Sequence, residues 1–340
     1  MNSRPVSVNY ISESGAGHKA EYDRVLIEEM RALNIHLDRI EKARHAVDSS
    51  RPVFDSMLDS HVFAFLSSAV VRSLRGRCTV GLFFRPGECF FRTSLKYRIK
   101  YKLFQAASRL PHVSILTIMP FAVFPRFEEV ATGWIYDPQL WDLLHFGFSD
   151  DSAFPMLRDL LSAKANGRRI LITLGAQHSD KGFDYLVELW CSSPKVRETF
   201  LFVVAGKVYP SSVHKADLFV KQGGLLINRR MSDGELIYMY RCANIIWSCY
   251  APVYNQSSGI FGRAVQFGVP VIVREASYLE KLGGILSHPS LALPFGNLDI
   301  AAREILAWEP VKCGAAERIG LINAMRTYSL AVLASNLTSH

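Results

Sequence analysis

The sequence predicts an α/β chain folded as two doubly wound, Rossmann-like domains. Three observations lead there. Short apolar runs rich in β-branched residues recur through the second half, at Arg169–Leu174 (RILITL), 199–205 (TFLFVVA), 225–228, 245–249 and 269–273. The segments between them carry apolar residues at helical spacing, as in Leu186, Leu189 and Trp190, and again in Leu236, Met239 and Tyr240. The chain also has 340 residues, 49% of them hydrophobic, which is enough to give each of two halves its own core. Strands alternating with helices imply a parallel sheet, and near-continuous apolar strands imply one covered on both faces.

The first half repeats this rhythm. Val6–Ile11 reads as the first strand, and Gly15-Ala16-Gly17 turns it into an amphipathic helix over 18–33. Runs at 62–66, 78–84 and 113–119 read as further strands. The polar stretch 137–151, with Pro138 and Gly147, reads as a linker. The expected division is therefore 1–150, 151–315, and a last helix and tail over 316–340. Asp150-Asp151 in the linker reads as a helix cap rather than a metal motif.

With only 21% charged residues and no low-complexity tract, the chain is not of the disordered class. The six cysteines show no CxxC spacing, so neither a zinc ribbon nor a thioredoxin-like centre is indicated. The start, MNSRPVSVNYISES, lacks an apolar stretch after a basic one, and the longest apolar stretch is short and broken by proline. The expectation is a cytoplasmic protein.

The net charge is +8 and is concentrated. Between 71 and 110 stand ten basic residues, Arg72, Arg75, Arg77, Arg85, Arg92, Lys96, Arg98, Lys100, Lys102 and Arg109, against Glu88 alone. Such a field attracts phosphates, anionic lipid headgroups or nucleic acid without choosing among them.

Two loops of the second half carry the chemistry. One is Gly175-Ala176-Gln177-His178-Ser179-Asp180-Lys181-Gly182, after the strand at Arg169–Leu174. The other is Tyr254-Asn255-Gln256-Ser257-Ser258-Gly259, after the strand at 245–249. Both follow C-terminal ends of parallel strands, where open α/β sheets bind ligands. Ser257, Ser258 and Gly259 would offer backbone N–H groups at a helix N-terminus, suited to a phosphate, and Lys181 would add a cation. The alternative readings are a plain serine N-cap and a solvated lysine.

The run from Gly259 to Ile272, GIFGRAVQFGVPVI, resembles the donor-site helix and strand of the retaining GT-B glycosyltransferases of family 4. GAQHSDKGFDYL, from Gly175 to Leu186, is similar to that family's first C-domain loop with its Lys-Gly pair, and 232–250 follows its order of helix, then strand into the donor site. The resemblance covers roughly 168–285 well and the first half in outline. It implies a GT-B fold, two Rossmann-like domains facing a cleft, with a nucleoside diphosphate sugar as donor substrate and neither cofactor nor metal. It would place Lys181, Asn255, Ser257, Ser258, Gly259 and Arg263 at the donor. The family's two donor-loop glutamates, one for the transferred sugar and one for the ribose, correspond to Asn255 and Arg263, and its loop arginine to Ala176. Arg263 is therefore expected to replace the lost cation in part, the more so because no acid lies between Glu235 and Glu275 to neutralise it; the alternative is an exposed helix arginine.

In the first half, Glu13-Ser14-Gly15-Ala16-Gly17-His18 sits where the first strand turns into its helix. The resemblance implies that this loop faces the cleft, where His18 or Glu13 would orient or deprotonate an acceptor hydroxyl. A capping turn is the other reading, and position 20 is Ala20, so no dinucleotide fingerprint is present. Arg85, after the strand at 78–84, would hold a phosphate or an acidic acceptor, or is a surface residue. LKYRIKYKL at 95–103 alternates like a strand, but its place between two strands predicts a helix. Its basic arc with Tyr97, Tyr101 and Phe104 suits an anionic membrane surface over 92–109, or equally an ordinary solvated helix.

The expected function is transfer of a sugar from a nucleoside diphosphate sugar to a glycan or lipid-linked acceptor, in cell-surface polysaccharide synthesis. A GT-B epimerase, an inverting transferase and a catalytically silent GT-B partner subunit are the alternatives. No nucleic-acid motif accompanies the basic region, so nucleic acid is not an expected partner.

Overall fold

The computed structural model describes residues 5–12, 18–40, 46–145 and 154–338. The chain divides into two compact units, Met1–Pro138 with Asn323–His340, and Gln139–Ile322. The first unit thus ends ahead of the position near 150 read from the linker. The last helix is shared between the units rather than standing apart.

The first unit contains β1 (Val6–Ile11), α1 (His18–Ala32), β2 (Ile35–Ile40), β3 (Val53–Asp55), α2 (Val62–Leu74), β4 (Thr79–Phe83), α3 (Glu88–Phe91), α4 (Leu95–Ala107), β5 (Val113–Thr117) and β6 (Gly133–Trp134). Its strands form one parallel sheet in the order β2-β1-β3-β4-β5-β6. The strand read at 62–66 is corrected: VFAFL opens α2. Phe65, Leu66, Ser68, Ala69, Arg72 and Ser73 are its buried positions, spaced as a helix face, and the short apolar run concealed that period. Arg72 is fully buried, and its guanidinium donates to Thr79 Oγ1 and to the carbonyls of Ala46, Ser49, Arg51 and Cys78. It staples α2 to the strand ends, so it does not belong to a surface field. The expected helix over LKYRIKYKL is present as α4.

The second unit runs α5 (Pro155–Ala165), β7 (Arg169–Leu174), α6 (Phe183–Ser192), α7 (Pro194–Thr199), β8 (Phe200–Ala205), α8 (Val213–Lys221), β9 (Leu225–Ile227), α9 (Asp233–Cys242), β10 (Ile245–Ser248), α10 (Gly259–Phe267), β11 (Val271–Arg274), α11 (Tyr278–Ile285), β12 (Ser290–Leu293) and α12 (Leu298–Ala307). Its parallel sheet has the order β12-β11-β10-β7-β8-β9. β8 is buried at every position, as a strand covered on both faces must be. Trp190, Phe200, Phe202 and Phe219 fill one side of the core. The order places β10 between β7 and β11, so the loops that leave these three strands gather at one edge.

The final helix, α13 (Ala315–Thr338), starts in the second unit and completes the first. Within the first unit its Met325, Leu330, Leu333 and Leu337 are buried. Arg326 donates to Glu29 at 2.6 Å, and the Tyr136 amide donates to Ser329 Oγ at 3.0 Å.

Candidate functional site

In the second unit the two loops singled out above do come together. Gly175 and Gly182 hold positive φ values of 80° and 72°. A Cβ on Gly182 would overlap the carbonyl oxygen of Cys249, so only glycine lets this turn lie against the end of β10. The Ala251 amide closes the contact by donating to the Asp180 carbonyl at 3.1 Å. Lys181 is thereby carried beneath two rings. Its Nζ lies 4.7 Å from the centroid of Tyr250 and 4.3 Å from that of Tyr254. Burial works against the charge of Lys181, but the phenol groups of Tyr250 and Tyr254 offset it and hold the ammonium above its ordinary value.

Tyr250 organises the site. Its hydroxyl shares a hydrogen bond of 2.7 Å with Ser258 Oγ, and its carbonyl accepts from Arg274 Nε at 3.1 Å. Ser258 is the N-cap of α10 and also accepts from the Phe261 amide at 3.4 Å. The capping reading of Ser258 is therefore realised. Gly259 begins the helix next to the Gln139 side-chain amide, which a Cβ at this position would displace. Ser257 is half-buried just outside the cap.

Asn255 and Arg263 are both committed to the protein itself. Asn255 Oδ1 accepts from the Tyr278 amide at 2.8 Å, joining the β10–α10 loop to the start of α11. Arg263 Nη2 pairs with Asp142 Oδ2 at 3.0 Å, and both residues are buried. Gln266 donates to the other oxygen of Asp142 at 2.7 Å and to the Gln139 carbonyl at 2.8 Å. The expectation that Arg263 lacks a counter-charge is corrected: the acid comes from far upstream, beyond a search of the neighbouring sequence.

Arg274 is a residue that sequence reasoning missed. It closes β11, is half-buried, and spends Nε on the Tyr250 carbonyl and Nη1 on the Glu275 carbonyl, the latter at 3.1 Å. No carboxylate among the described residues pairs with it. Burial lowers its affinity for the proton from the ordinary arginine value. The available signal was a cation at the end of an apolar strand, VIVR, shortly after the loop from Tyr254 to Gly259.

In the first unit, Glu13 lies outside the described residues. His18 opens α1, and its side chain lies outside the described part. Arg85 follows β4 with an exposed side chain, while its amide donates to Asp59 at 3.3 Å. Asp59 also accepts from the Phe84 amide at 2.6 Å and pairs with Lys100 at 3.0 Å. Lys100 further pairs with Glu88 at 2.9 Å and lies 4.9 Å from the Phe83 ring. It is a structural cation, not one facing outward. Arg92, Lys96, Arg98, Lys102 and Arg109 remain exposed, together with Phe91, Leu95 and Ile99. At the end of β3, opposite Ile11 of β1, Asp55 is fully buried. Met57 donates an amide to its Oδ1 at 3.0 Å, and its Oδ2 has no hydrogen-bond partner among the described residues. Burial raises its carboxyl to about 6, against the opposing pull of that amide bond.

Among the described residues no helix is long and apolar enough to cross a membrane, and no group of three or more His, Cys, Asp or Glu side chains is placed to hold a metal ion.

No family model matches the sequence, and no curated protein does. Solved structures do match. A glycosyltransferase from Rickettsia africae aligns over 99% of this chain and 100% of its own, at 12% identity and a TM-score of 0.63. HepE from Anabaena, solved in complex with UDP-glucose, aligns over 97% of this chain and 95% of its own, at 12% identity and a TM-score of 0.58. WaaG, a glycosyltransferase involved in lipopolysaccharide biosynthesis, aligns over 98% of this chain and 100% of its own, at 13% identity and a TM-score of 0.53. At such identities the likeness is one of fold: the chain has the GT-B fold, with its two parallel six-stranded sheets.

Proposed function

We propose that this chain is a glycosyltransferase that moves a sugar from a nucleoside diphosphate sugar to a glycan or lipid-linked acceptor. The observation that carries the reading is the convergence on Tyr250 of Lys181 and of Ser258 at the start of α10. A cation and a helix N-terminus at the C-terminal edge of a parallel sheet suit a diphosphate. HepE, with the same fold, was solved with UDP-glucose, which makes a uridine nucleotide the first donor to test.

In the proposed reaction an acceptor hydroxyl attacks the anomeric carbon, and the bond from that carbon to the diphosphate oxygen breaks. The hydroxyl proton leaves to a base or to the departing phosphate. Charge accumulates on the diphosphate, and Lys181 with the amides of the 257–259 turn stabilises it more in the transition state than in the ground state. Glu13, His18 and Arg85 are the groups proposed for the acceptor. Arg263 is reserved for holding residues 139–143 against α10, and Asn255 for the link to α11.

Calorimetry with UDP and UDP-glucose tests the donor assignment. Lys181→Ala should weaken UDP by about 1–3 kcal/mol, the range for hydrogen bonds to charged groups. Unchanged affinity in that variant would sink the assignment. The anomeric linkage of the product distinguishes retention, inversion and epimerisation.

A specific observation favours work at a membrane surface, as lipid-linked or polysaccharide acceptors would require. Leu95 is 70% exposed and Ile99 is 47% exposed on α4, Phe91 is 55% exposed just before it, and Arg92, Lys96, Arg98 and Lys102 flank them. Exposed apolar side chains amid cations are the composition of an interfacial helix. Binding to vesicles should require acidic headgroups, fade with salt, and fall in a Leu95→Ser, Ile99→Ser variant. Equal binding to neutral vesicles would remove the electrostatic part of this reading.

A further inference from the structure

We infer that Arg274 is a second anion-holding residue of the sugar-nucleotide site, on the opposite flank of β10 from Lys181. The inference rests on the donor reading above and adds to it a residue that the two loops do not contain. Sheet order fixes the flanks. Lys181 belongs to the loop after β7, Arg274 ends β11, and β10 runs between them. Tyr250, two residues beyond the end of β10, touches both. Its ring meets Lys181, and its carbonyl accepts from Arg274 Nε.

A second cation would balance the ligand's charge. A diphosphate ester carries two negative charges, and Lys181 supplies one positive charge. Arg263 cannot supply the other, because Asp142 neutralises it in the interior. Arg274 is the other cation on Tyr250. Its guanidinium is half-buried, spends two of its nitrogens on backbone carbonyls, and pairs with no carboxylate among the described residues. A purely structural arginine would be satisfied by carbonyls on all sides, as Arg72 is. Arg274 instead keeps Nη2 for a ligand, held in a fixed orientation by its two bonds to the chain. A planar guanidinium so fixed matches the oxygens of a phosphate or of a carboxylate.

That anion has two sources, the donor's diphosphate or a carboxylate on the transferred sugar. Calorimetry on the full chain with uridine, UDP, UDP-glucose and UDP-glucuronate separates them, using wild type, Arg274→Gln, Arg274→Lys and Lys181→Ala. Arg274→Gln keeps a donor for the Tyr250 carbonyl, and Arg274→Lys keeps the charge without the fork. If the diphosphate is the anion, Arg274→Gln weakens UDP and UDP-glucose by about tenfold or more and leaves uridine unchanged. If the sugar carboxylate is the anion, wild type prefers UDP-glucuronate to UDP-glucose and Arg274→Gln abolishes the preference. In either case Arg274→Lys should lie between wild type and Arg274→Gln. A merely structural role would weaken uridine and UDP alike. Ligand affinities in Arg274→Gln equal to wild type, with a loss in Lys181→Ala, overturn the assignment of Arg274 alone. Failure of wild type to bind any of the nucleotides overturns the donor reading as well.

Discussion

Arg263 and Asp142 form a buried ion pair at 3.0 Å between residues 121 positions apart. Removing one partner strands a charge in the interior, so Asp142→Ala should cost about 3–5 kcal/mol. The double change Asp142→Leu, Arg263→Met should recover most of that, since apolar replacements of similar volume remove the stranded charge. Urea unfolding measures both. The double variant should also bind UDP like wild type. Lost UDP binding in a folded double variant would return Arg263 to the donor site.

Gly182 supplies a test of the loop that carries Lys181. Gly182→Ala forces a side chain into the carbonyl of Cys249 at φ 72°. The strain should cost about 1–3 kcal/mol and weaken UDP binding together with stability. Gly167 is the control, because it has φ 82° and open space around its Cβ position. Gly167→Ala should cost roughly 1–2 kcal/mol from backbone conformation alone and leave UDP binding untouched.

These residues also mark how far the sequence could be read. RILITL and the run into β8 are near-continuous apolar stretches, and a strand buried on both faces announces itself in that way. The Lys-Gly pair was legible because glycine is demanded there by backbone geometry. β2 was missed because IHLDRI is mostly exposed or half-exposed and carries charges, and β3 because three residues are too few for a period. Asn255 and Arg263 were placed by local position, whereas their partners, the Tyr278 amide and Asp142, are set by tertiary packing. Arg274 needed the knowledge that β11 lies beside β10.

Tyr250→Phe separates the two parts of Tyr250. It keeps the ring above Lys181 and loses the 2.7 Å hydrogen bond to Ser258. Stability should fall by about 1 kcal/mol, the net worth of one such bond, while UDP affinity stays within a few-fold of wild type. A large affinity loss with little change in stability would mean that the hydroxyl itself meets the donor.

Asp55 predicts a pH dependence. Its carboxyl is raised to about 6 in the folded chain by burial, opposed by the Met57 amide and by the charge of His61, and supported by the negative charge of Asp59. A raised carboxyl contributes its full stability below the ordinary value of 3.8 and loses it as pH climbs through about 6. Asp55→Asn does not ionise. Stability of wild type relative to this variant should therefore decline by up to ~3 kcal/mol across that window and then level off. A difference that stays flat from pH 4 to 7 would show that the carboxyl is ionised throughout.

The sharing of α13 between the units bears on synthesis. A ribosome delivers Gln139–Ile322 complete before it delivers Asn323 onward, yet the first unit needs Met325, Leu330, Leu333 and Leu337 to cover its core. The half that is made first is thus the half that finishes last. Until the closing helix emerges, the bonds from Arg326 to Glu29 and from the Tyr136 amide to Ser329 are unmade, and the four apolar side chains are missing from the core. On the nascent chain the order of maturation runs opposite to the order of translation, and the unfinished unit is the one that chaperones would meet.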